Sequence, residues 1–583
     1  MARRSALTLL AVLLIPSLAS AVKVPRPGEA VDVEAIIESM SVEEKVGQLL
    51  MIGFGGTEVT AHIEHWVKKR GAGGIALFSR NIKDFEQTAA FSRALHGLTE
   101  GQLPVFLSLD QEGGNVVRVK DGALVLPGNM ALGATRNPKL AYVAGQAVAI
   151  DLRRLGFNMN LAPVLDVNSN PKNPVIGVRS YGEKPELVAE LGSWYVRGQQ
   201  EMGVVAVAKH FPGHGDTQSD SHFSMPAIQA DLSRLEQIEL APFKRAMENG
   251  LDAVMTAHIA LPKIAEEPNL PATLSPFILT RVLREKLAFD GIVVTDGLEM
   301  QGIVERYGSG RAAVEAIKAG ADMPMILWTV KKKDEVYNSL LAAVKSGEIP
   351  EKRLDQSVRR ILKVKKRRGL FKREIPALEE VLKEGNKNPL HEQVAQRIAK
   401  EAVTLVRNHG DTFPLRPVRY RKVVVVAPSG AFAARLAKEP FIDVLTTPYI
   451  PSKERRSQDV ARAVAAARDA DLVVFGVVNR YHVDIARRVM REMRDIPSAV
   501  VSFASPYYLS ALSEVEAYAC TFSYQAAPQA AAAAALLGEA PMTGKLPISI
   551  PGFYEYGHRV AAALTPESDT VVVRRESSAP ASE

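Results

Sequence analysis

The segment Lys209-His210-Phe211-Pro212-Gly213-His214-Gly215-Asp216-Thr217-Gln218-Ser219-Asp220-Ser221-His222 packs three histidines, two aspartates and a lysine into fourteen residues. Such groups move protons, ligate metals or hold hydroxylated and charged molecules. Pro212, Gly213 and Gly215 interrupt the run and mark a loop rather than a helix or strand. By spacing alone, His210, His214, Asp216, Asp220 and His222 are competent to bind a metal, because His-x3-His with carboxylates offers enough ligands. His214 and Asp216 also fit a structural role, shaping the loop by side-chain to backbone bonds.

Other polar groups stand at the ends of apolar runs. Asp110-Gln111-Glu112-Gly113-Gly114 follows one run, Asp166 and Asn168 follow another, and Arg179 lies in the loop beyond. Asp296 ends the run Val293-Val294-Thr295. A ring of Asp, Arg, Lys, His and Asp suits a polyhydroxylated ring, whose vicinal hydroxyls take paired contacts from carboxylate and guanidinium. It suits an apolar ligand poorly.

These groups need rigid elements behind them. Gly203-Val204-Val205-Ala206-Val207-Ala208 reads as a buried parallel strand leading into Lys209. Similar runs are Gly47 to Phe54, Gly74 to Phe78, Val105 to Leu109, Asn158 to Leu165, Ala253 to Ala257, Gly291 to Thr295 and Met323 to Leu327. Eight strands alternating with helices predict an α/β fold of the (β/α)8 TIM-barrel type, with the polar strand ends converging on one rim. One helix is expected from an Asp231 cap through Leu232, Leu235, Ile238, Leu240 and Phe243, stopped by Gly250. A second unit has strand candidates Val423 to Val426, Leu472 to Phe475, Ala499 to Phe503 and Ala517 to Phe522, with an Ala-rich helix from Ala526 to Leu537. It reads as an α/β/α sandwich with a mostly parallel sheet. The expected organisation is a signal segment at 1–21, a barrel at 32–370, a linker at 371–402, the sandwich at 403–573 and a polar, disordered tail at 574–583.

At 583 residues the chain is too long for one core, and 47% apolar with 23% charged residues is ordinary for a globular protein. Arg3 and Arg4, an apolar stretch from Leu7 to Leu18, and Ala19-Ser20-Ala21 fit a secretory signal cleaved after Ala21. The apolar stretch is short of the roughly 20 residues a span requires. Export to the periplasm or the medium is therefore expected, with no stable membrane span after cleavage. Cys520 is the only cysteine, which rules out an intrachain disulfide. The basic run Arg359, Arg360, Lys363, Lys365, Lys366, Arg367 and Arg368 reads as a helix with a solvated cationic face. Docking on an anionic wall polymer or lipid is its sharper alternative. Nucleic acid is not an expected partner, since stacking aromatics are not interleaved with the charges.

The Lys209–His222 motif, Asp110-Gln111-Glu112-Gly113-Gly114, Arg179-Ser180-Tyr181-Gly182-Glu183 and Thr295-Asp296-Gly297-Leu298-Glu299-Met300 together resemble glycoside hydrolase family 3. They are most similar to its bacterial β-N-acetylglucosaminidase branch, which acts on peptidoglycan fragments. Gly544-Lys545-Leu546-Pro547-Ile548-Ser549-Ile550-Pro551 resembles the end of that family's sandwich domain. The resemblance implies a retaining hydrolase with Asp296 as nucleophile, His222 as acid/base and Asp220 as its partner. It places Asp110, Arg118, Lys209, His210 and Arg179 on the sugar being transferred. It implies a muropeptide or other β-N-acetylglucosaminide substrate, no metal and no cofactor, and a monomer is expected. Imidazole suits the acid/base role because its ordinary pKa, near 6.5, lets it give and take a proton near neutrality. Asp220 would orient the ring and favour its protonated form. Asn115 stands where the family usually has Arg, and Lys184 where it has Asp. Met323-Pro324-Met325 differs from the usual apolar end of the eighth strand, so barrel closure there is at issue. Phosphorolysis, another family 3 β-glycosidase activity, and non-catalytic wall binding are the alternatives.

Overall fold

The computed structural model describes residues 22, 24–25, 29–219, 225–372 and 374–560. The expected signal segment, the 574–583 tail, Asp220 and His222 lie outside the described residues.

Eight strands close a parallel barrel: β1 Met51–Ile52, β2 Gly74–Ala76, β3 Phe106–Leu109, β4 Met159–Asn160, β5 Val205–Phe211, β6 Ala253–Thr256, β7 Ile292–Gly297 and β8 Met323–Ile326. Each pairs with its sequence neighbours, and β1 meets β8 through Met51↔Met325 and Ile52↔Ile326. The strands are buried on both faces, which is why they read as continuous apolar runs. Closure therefore survives Met323-Pro324-Met325. Pro324 falls at a register shift between β8 and β7, where the missing N–H is tolerated.

Two expectations need correction. The run from Gly47 begins as helix, because Ser41 and Glu44 form a capping box that starts Val42–Leu49. The single helix expected after Asp231 is two, Leu232–Gln237 and Ala241–Glu248. Asp231 caps the first through Arg234 N; Pro242 supplies no N–H to continue it and starts the second instead.

The basic run also differs from its solvated reading. It does form a helix, Glu351–Arg367, with Lys363, Lys366 and Arg367 exposed, but several of its cations are paired and Lys365 is buried. Arg360 reaches Asp290 at 3.0 Å and Asp322 at 3.3 Å, while Arg367 and Arg368 hold Asp252 at 2.9 and 2.5 Å. Arg359 pairs with Glu34 at 2.6 Å, and Lys366 donates to Val31 O at 2.7 Å. Lys365 is fully buried and donates to Gln48 Oε1 at 2.8 Å; burial pushes its ammonium down to about 7. Arg360, Arg367 and Arg368 tie the last barrel helix to the acidic residues that precede β6, β7 and β8, while Lys363, Lys366 and Arg367 keep an exposed cationic face.

The second unit is a six-stranded sheet flanked by helices. Its strands are β9 Thr404–Asn408, β10 Val423–Pro428, β11 Ile442–Thr447, β12 Leu472–Val477, β13 Ser498–Ser502 and β14 Ala517–Cys520. They lie in the order β9-β14-β13-β12-β10-β11, all parallel except β9, which runs antiparallel to β14. The Ala526–Leu536 helix packs on this sheet's inner cluster through Ala531, Ala532 and Ala535. Among the described residues no helix is long and apolar enough to cross a membrane.

Candidate active site

Asp110 follows β3 at the carboxyl end of the barrel, where βα loops gather functional groups. A hairpin, Gln111–Gly113 with Val116–Val117, folds directly back from it. Gly113 makes this turn possible: its φ is 87°, and a Cβ there would sit 2.8 Å from Leu126 Cβ. The Gln111 side chain locks the return strand, accepting from Arg118 N and Val119 N at 3.1 Å and donating to Val119 O at 2.8 Å. Arg118 is thereby delivered to Asp110, with Nη2 at 2.9 Å and Nε at 3.3 Å from Oδ2.

Lys209, on β5, lies between two carboxylates: its Nζ is 2.7 Å from Asp110 Oδ1 and 2.7 Å from Glu112 Oε1. Glu112 also takes both arms of Arg179, at 2.9 and 2.8 Å. Cations and carboxylates alternate as Arg118, Asp110, Lys209, Glu112, Arg179. Lys209 is only 2% exposed and Glu112 4%. Burial alone would discharge these groups. Instead Lys209 and Arg118 outweigh it and hold the Asp110 carboxyl well below its usual range. Arg179 and Lys209 likewise bring Glu112 down to about 2, and the two carboxylates raise Lys209. The network stays charged across the range in which a protein functions.

Asp166, fully buried beyond β4, organises the start of the long loop. It accepts from His210 N at 3.1 Å and His214 N at 2.6 Å, and lies 2.7 Å from His210 Nδ1. Asn173 Nδ2 donates to His214 O, Gly215 O and Thr217 Oγ1 at 2.8, 2.9 and 3.2 Å. His214 Nδ1 lies 2.9 Å from Thr217 Oγ1, and Asp216 pairs with Arg234 at 2.6 Å. These bonds tie both side chains to their neighbours, His214 to Thr217 and Asp216 to Arg234. Among the described residues no group of three or more His, Cys, Asp or Glu is gathered to hold a metal. The described chain resumes at Met225, beside Gly302 just after β7, and Pro226 O accepts from Ala260 N at 2.8 Å.

Asp296 lies on β7 at the same barrel end, half-buried, and accepts from Gly297 N at 2.7 Å. His258 supports this turn. Its Nε2 lies 3.1 Å from Gly297 O and its Nδ1 2.8 Å from Thr273 Oγ1, whose hydroxyl donates to Ala257 O at 3.0 Å. Glu299 accepts from three successive backbone N–H groups, Leu327, Trp328 and Thr329, at 2.6, 2.7 and 2.7 Å.

Residues 41–364 match the model of the glycosyl hydrolase family 3 N-terminal domain. The chain belongs to this family. It is 32% identical to the β-hexosaminidase A of Pseudoalteromonas piscicida over 446 residues, 72% of this chain and 73% of that one. It is 28% identical to a β-N-acetylglucosaminidase/β-glucosidase of Cellulomonas fimi, covering 88% of this chain and 95% of that one. The solved family 3 β-N-acetylglucosaminidase of Paenibacillus sp. str. FPU-7 superimposes with a TM-score of 0.82 at 37% identity, covering 88% and 99% of the two chains.

In this family 3 hydrolase the second unit braces the loops that carry the polar network. Gln525 Nε2 donates to Gly114 O at 2.6 Å, and Asn168 Nδ2 donates to Tyr507 Oη at 2.9 Å. Glu183 accepts from Ser549 N and Oγ at 2.7 and 2.9 Å. Lys184 lies 5.6 Å over the Tyr556 ring and 3.7 Å from Glu183, so that departure bears on the seam between the units. The structure brings together Asp110, Arg118, Lys209, Arg179 and, beside them, His210; it puts Asp296 at the same rim. Glu112 and Asp166 are the groups that reasoning from sequence left without a role. Glu112 was visible in Asp-Gln-Glu-Gly-Gly, but its position between Lys209 and Arg179 has no signature in spacing.

Proposed function

We propose that this hydrolase is a retaining exo-β-N-acetylglucosaminidase that releases terminal non-reducing N-acetylglucosamine from peptidoglycan fragments. The observation that carries the reading is the charged Arg118-Asp110-Lys209-Glu112-Arg179 network, buried at Lys209 and Glu112 and half-buried elsewhere, at the barrel end that bears Asp296. Such a network offers fixed donors and acceptors to hydroxyls at no cost of reorganisation during reaction. The name of the Paenibacillus relative supports the N-acetyl sugar.

In the first step the Asp296 carboxylate attacks the anomeric carbon as the glycosidic C–O bond breaks. The departing oxygen takes a proton from the His222 imidazolium. In the second step neutral His222 takes a proton from water, whose oxygen displaces Asp296 from the same carbon. Two displacements give net retention. Asp220 orients His222 and favours its charged form. Met225, where the described chain resumes, lies beside Gly302 in the segment that follows β7, which supports this reading of the loop. Lys209, His210, Asp110, Arg118 and Arg179 hold the transferred sugar, with Asp166 orienting His210. The protein acts as an exported monomer.

The test is release of p-nitrophenol from the aryl β-N-acetylglucosaminide, beside the aryl β-glucoside, in phosphate-free buffer. Selective cleavage of the N-acetyl sugar is expected. Preference for the glucoside, or dependence on added phosphate, would contradict the reading. Muropeptides carrying terminal N-acetylglucosamine should then release the free sugar.

A further inference from the structure

The charged groups occupy the part of the mouth built by β3, β4 and β5. Past Asp296, the end of β8 carries an exposed aromatic side chain. Trp328 follows β8 by two residues and is 43% exposed. Its ring lies against Gly297, the residue after Asp296: a Cβ on Gly297 would sit 3.2 Å from Trp328 Cη2 and 3.5 Å from Cζ3. Glycine therefore leaves the indole room to lie beside the end of β7.

The backbone under the indole is held on both sides. Glu299 binds the N–H groups of Leu327, Trp328 and Thr329, and Arg80 Nη2 donates to Leu327 O at 2.8 Å. The Arg80 guanidinium in turn lies 4.6 Å over the Phe78 ring at the end of β2. A large apolar ring left in water loses the free energy that burial would give it. Here the chain anchors such a ring firmly at the mouth of the barrel.

We propose that Trp328 is a stacking platform for the sugar ring on the leaving-group side of the bond that is cleaved. This rests on the reading of Asp296 as nucleophile of a β-N-acetylglucosaminidase. Depth separates the two rings. Lys209, Glu112 and His210 are 2%, 4% and 7% exposed, suiting a sugar whose hydroxyls are all held. Trp328 stands in an outer layer, where the rest of the substrate leaves the barrel. A β-linked pyranose presents C–H groups on its face and hydroxyls at its edge. The face packs on an indole while the edge stays in water. An uncharged platform grips the ring with little regard to edge substituents, which suits a leaving sugar that carries bulky groups.

The experiment compares wild type, Trp328→Ala and Trp328→Phe on two substrates. One is the β-1,4-linked disaccharide of N-acetylglucosamine; the other is β-N-acetylglucosaminyl fluoride, whose leaving group has no ring. Trp328→Ala is expected to lower kcat/KM for the disaccharide about 10-fold. The fluoride should stay within about twofold of wild type, and Trp328→Phe should recover most of the disaccharide activity. Equal losses on both substrates would place Trp328 on the transferred sugar and overturn the proposal. Unchanged kinetics on both would overturn it as well. Wild-type protein inert towards both would overturn the parent reading, and this one with it.

Discussion

Lys209 has almost no contact with water, so its charge exists only because Asp110 and Glu112 stand 2.7 Å away on either side. Removing one carboxylate leaves buried cations without compensation. Glu112→Gln should therefore destabilise the protein by about 3 kcal/mol in urea unfolding and lower kcat/KM on the aryl N-acetylglucosaminide at least about 10-fold. Wild-type values of both would show that the network is dispensable. Glu239 behaves differently. It is 1% exposed under the loop that begins at Pro212, with Arg234 at 3.3 Å, and burial outweighs that arginine to push its carboxyl up to about 7. The folded protein holds this proton more tightly than the unfolded chain, whose carboxyl titrates near 4.5. Its contribution to stability is thus full below about pH 4.5 and declines as pH rises through about 7. Glu239→Gln should flatten that decline, seen as a smaller difference in Tm between about pH 5 and about pH 8 than wild type shows. An unchanged difference would contradict the assignment. At this scale the sequence displayed Asp110, Lys209, Arg179, His210 and Asp296, because polar groups after apolar runs stand out. It could not display partnership: Lys209 and Asp110 are 99 positions apart, and only the fold makes them neighbours.

The elements that carry these side chains were legible according to their burial. All eight barrel strands are enclosed on both faces and read as apolar runs. In the second sheet the four inner strands were equally plain, whereas β9 and β11 were not seen. These two are the sheet's edges. Ile442–Thr447 alternates only weakly in burial, and Thr404–Asn408 ends in Arg and Asn, as edge strands commonly do. The hairpin after Asp110 was also missed, since its strands are two or three residues long and its shape depends on Gly113 and Gly114. That dependence can be tested. In Gly113→Ala the new Cβ meets Leu126 Cβ at 2.8 Å and Leu126 O at 2.9 Å, on a backbone with φ of 87°. The hairpin must shift and carry Arg118 off Asp110. KM for the aryl N-acetylglucosaminide should rise by about 10-fold or more, with a lowered Tm. Unaltered KM would separate Arg118 from substrate binding.

Over the whole molecule, the second unit acts as a brace for the barrel's loops. Gly544-Lys545-Leu546-Pro547 lies along the seam, where Lys545 N donates to Ala134 O at 3.1 Å and Arg136 Nη2 donates to Leu546 O at 2.7 Å. Glu183 joins this seam to the loop bearing Arg179. Glu183→Ala should cost about 1–3 kcal/mol by taking the acceptor from Ser549 N–H, and should raise KM more than it lowers kcat, because it loosens a positioning loop and no reacting group. A fall in kcat alone would argue for a more direct role. The chemistry itself turns on Asp296. His222→Ala should still be glycosylated by an activated aryl β-N-acetylglucosaminide, which needs little help from an acid, but should be slow to release the sugar to water. Mass spectrometry of that variant, quenched during turnover and digested, should find N-acetylglucosamine ester-linked to Asp296. Its absence there, with the sugar on another carboxylate or no covalent adduct during turnover, would contradict the assignment of the nucleophile.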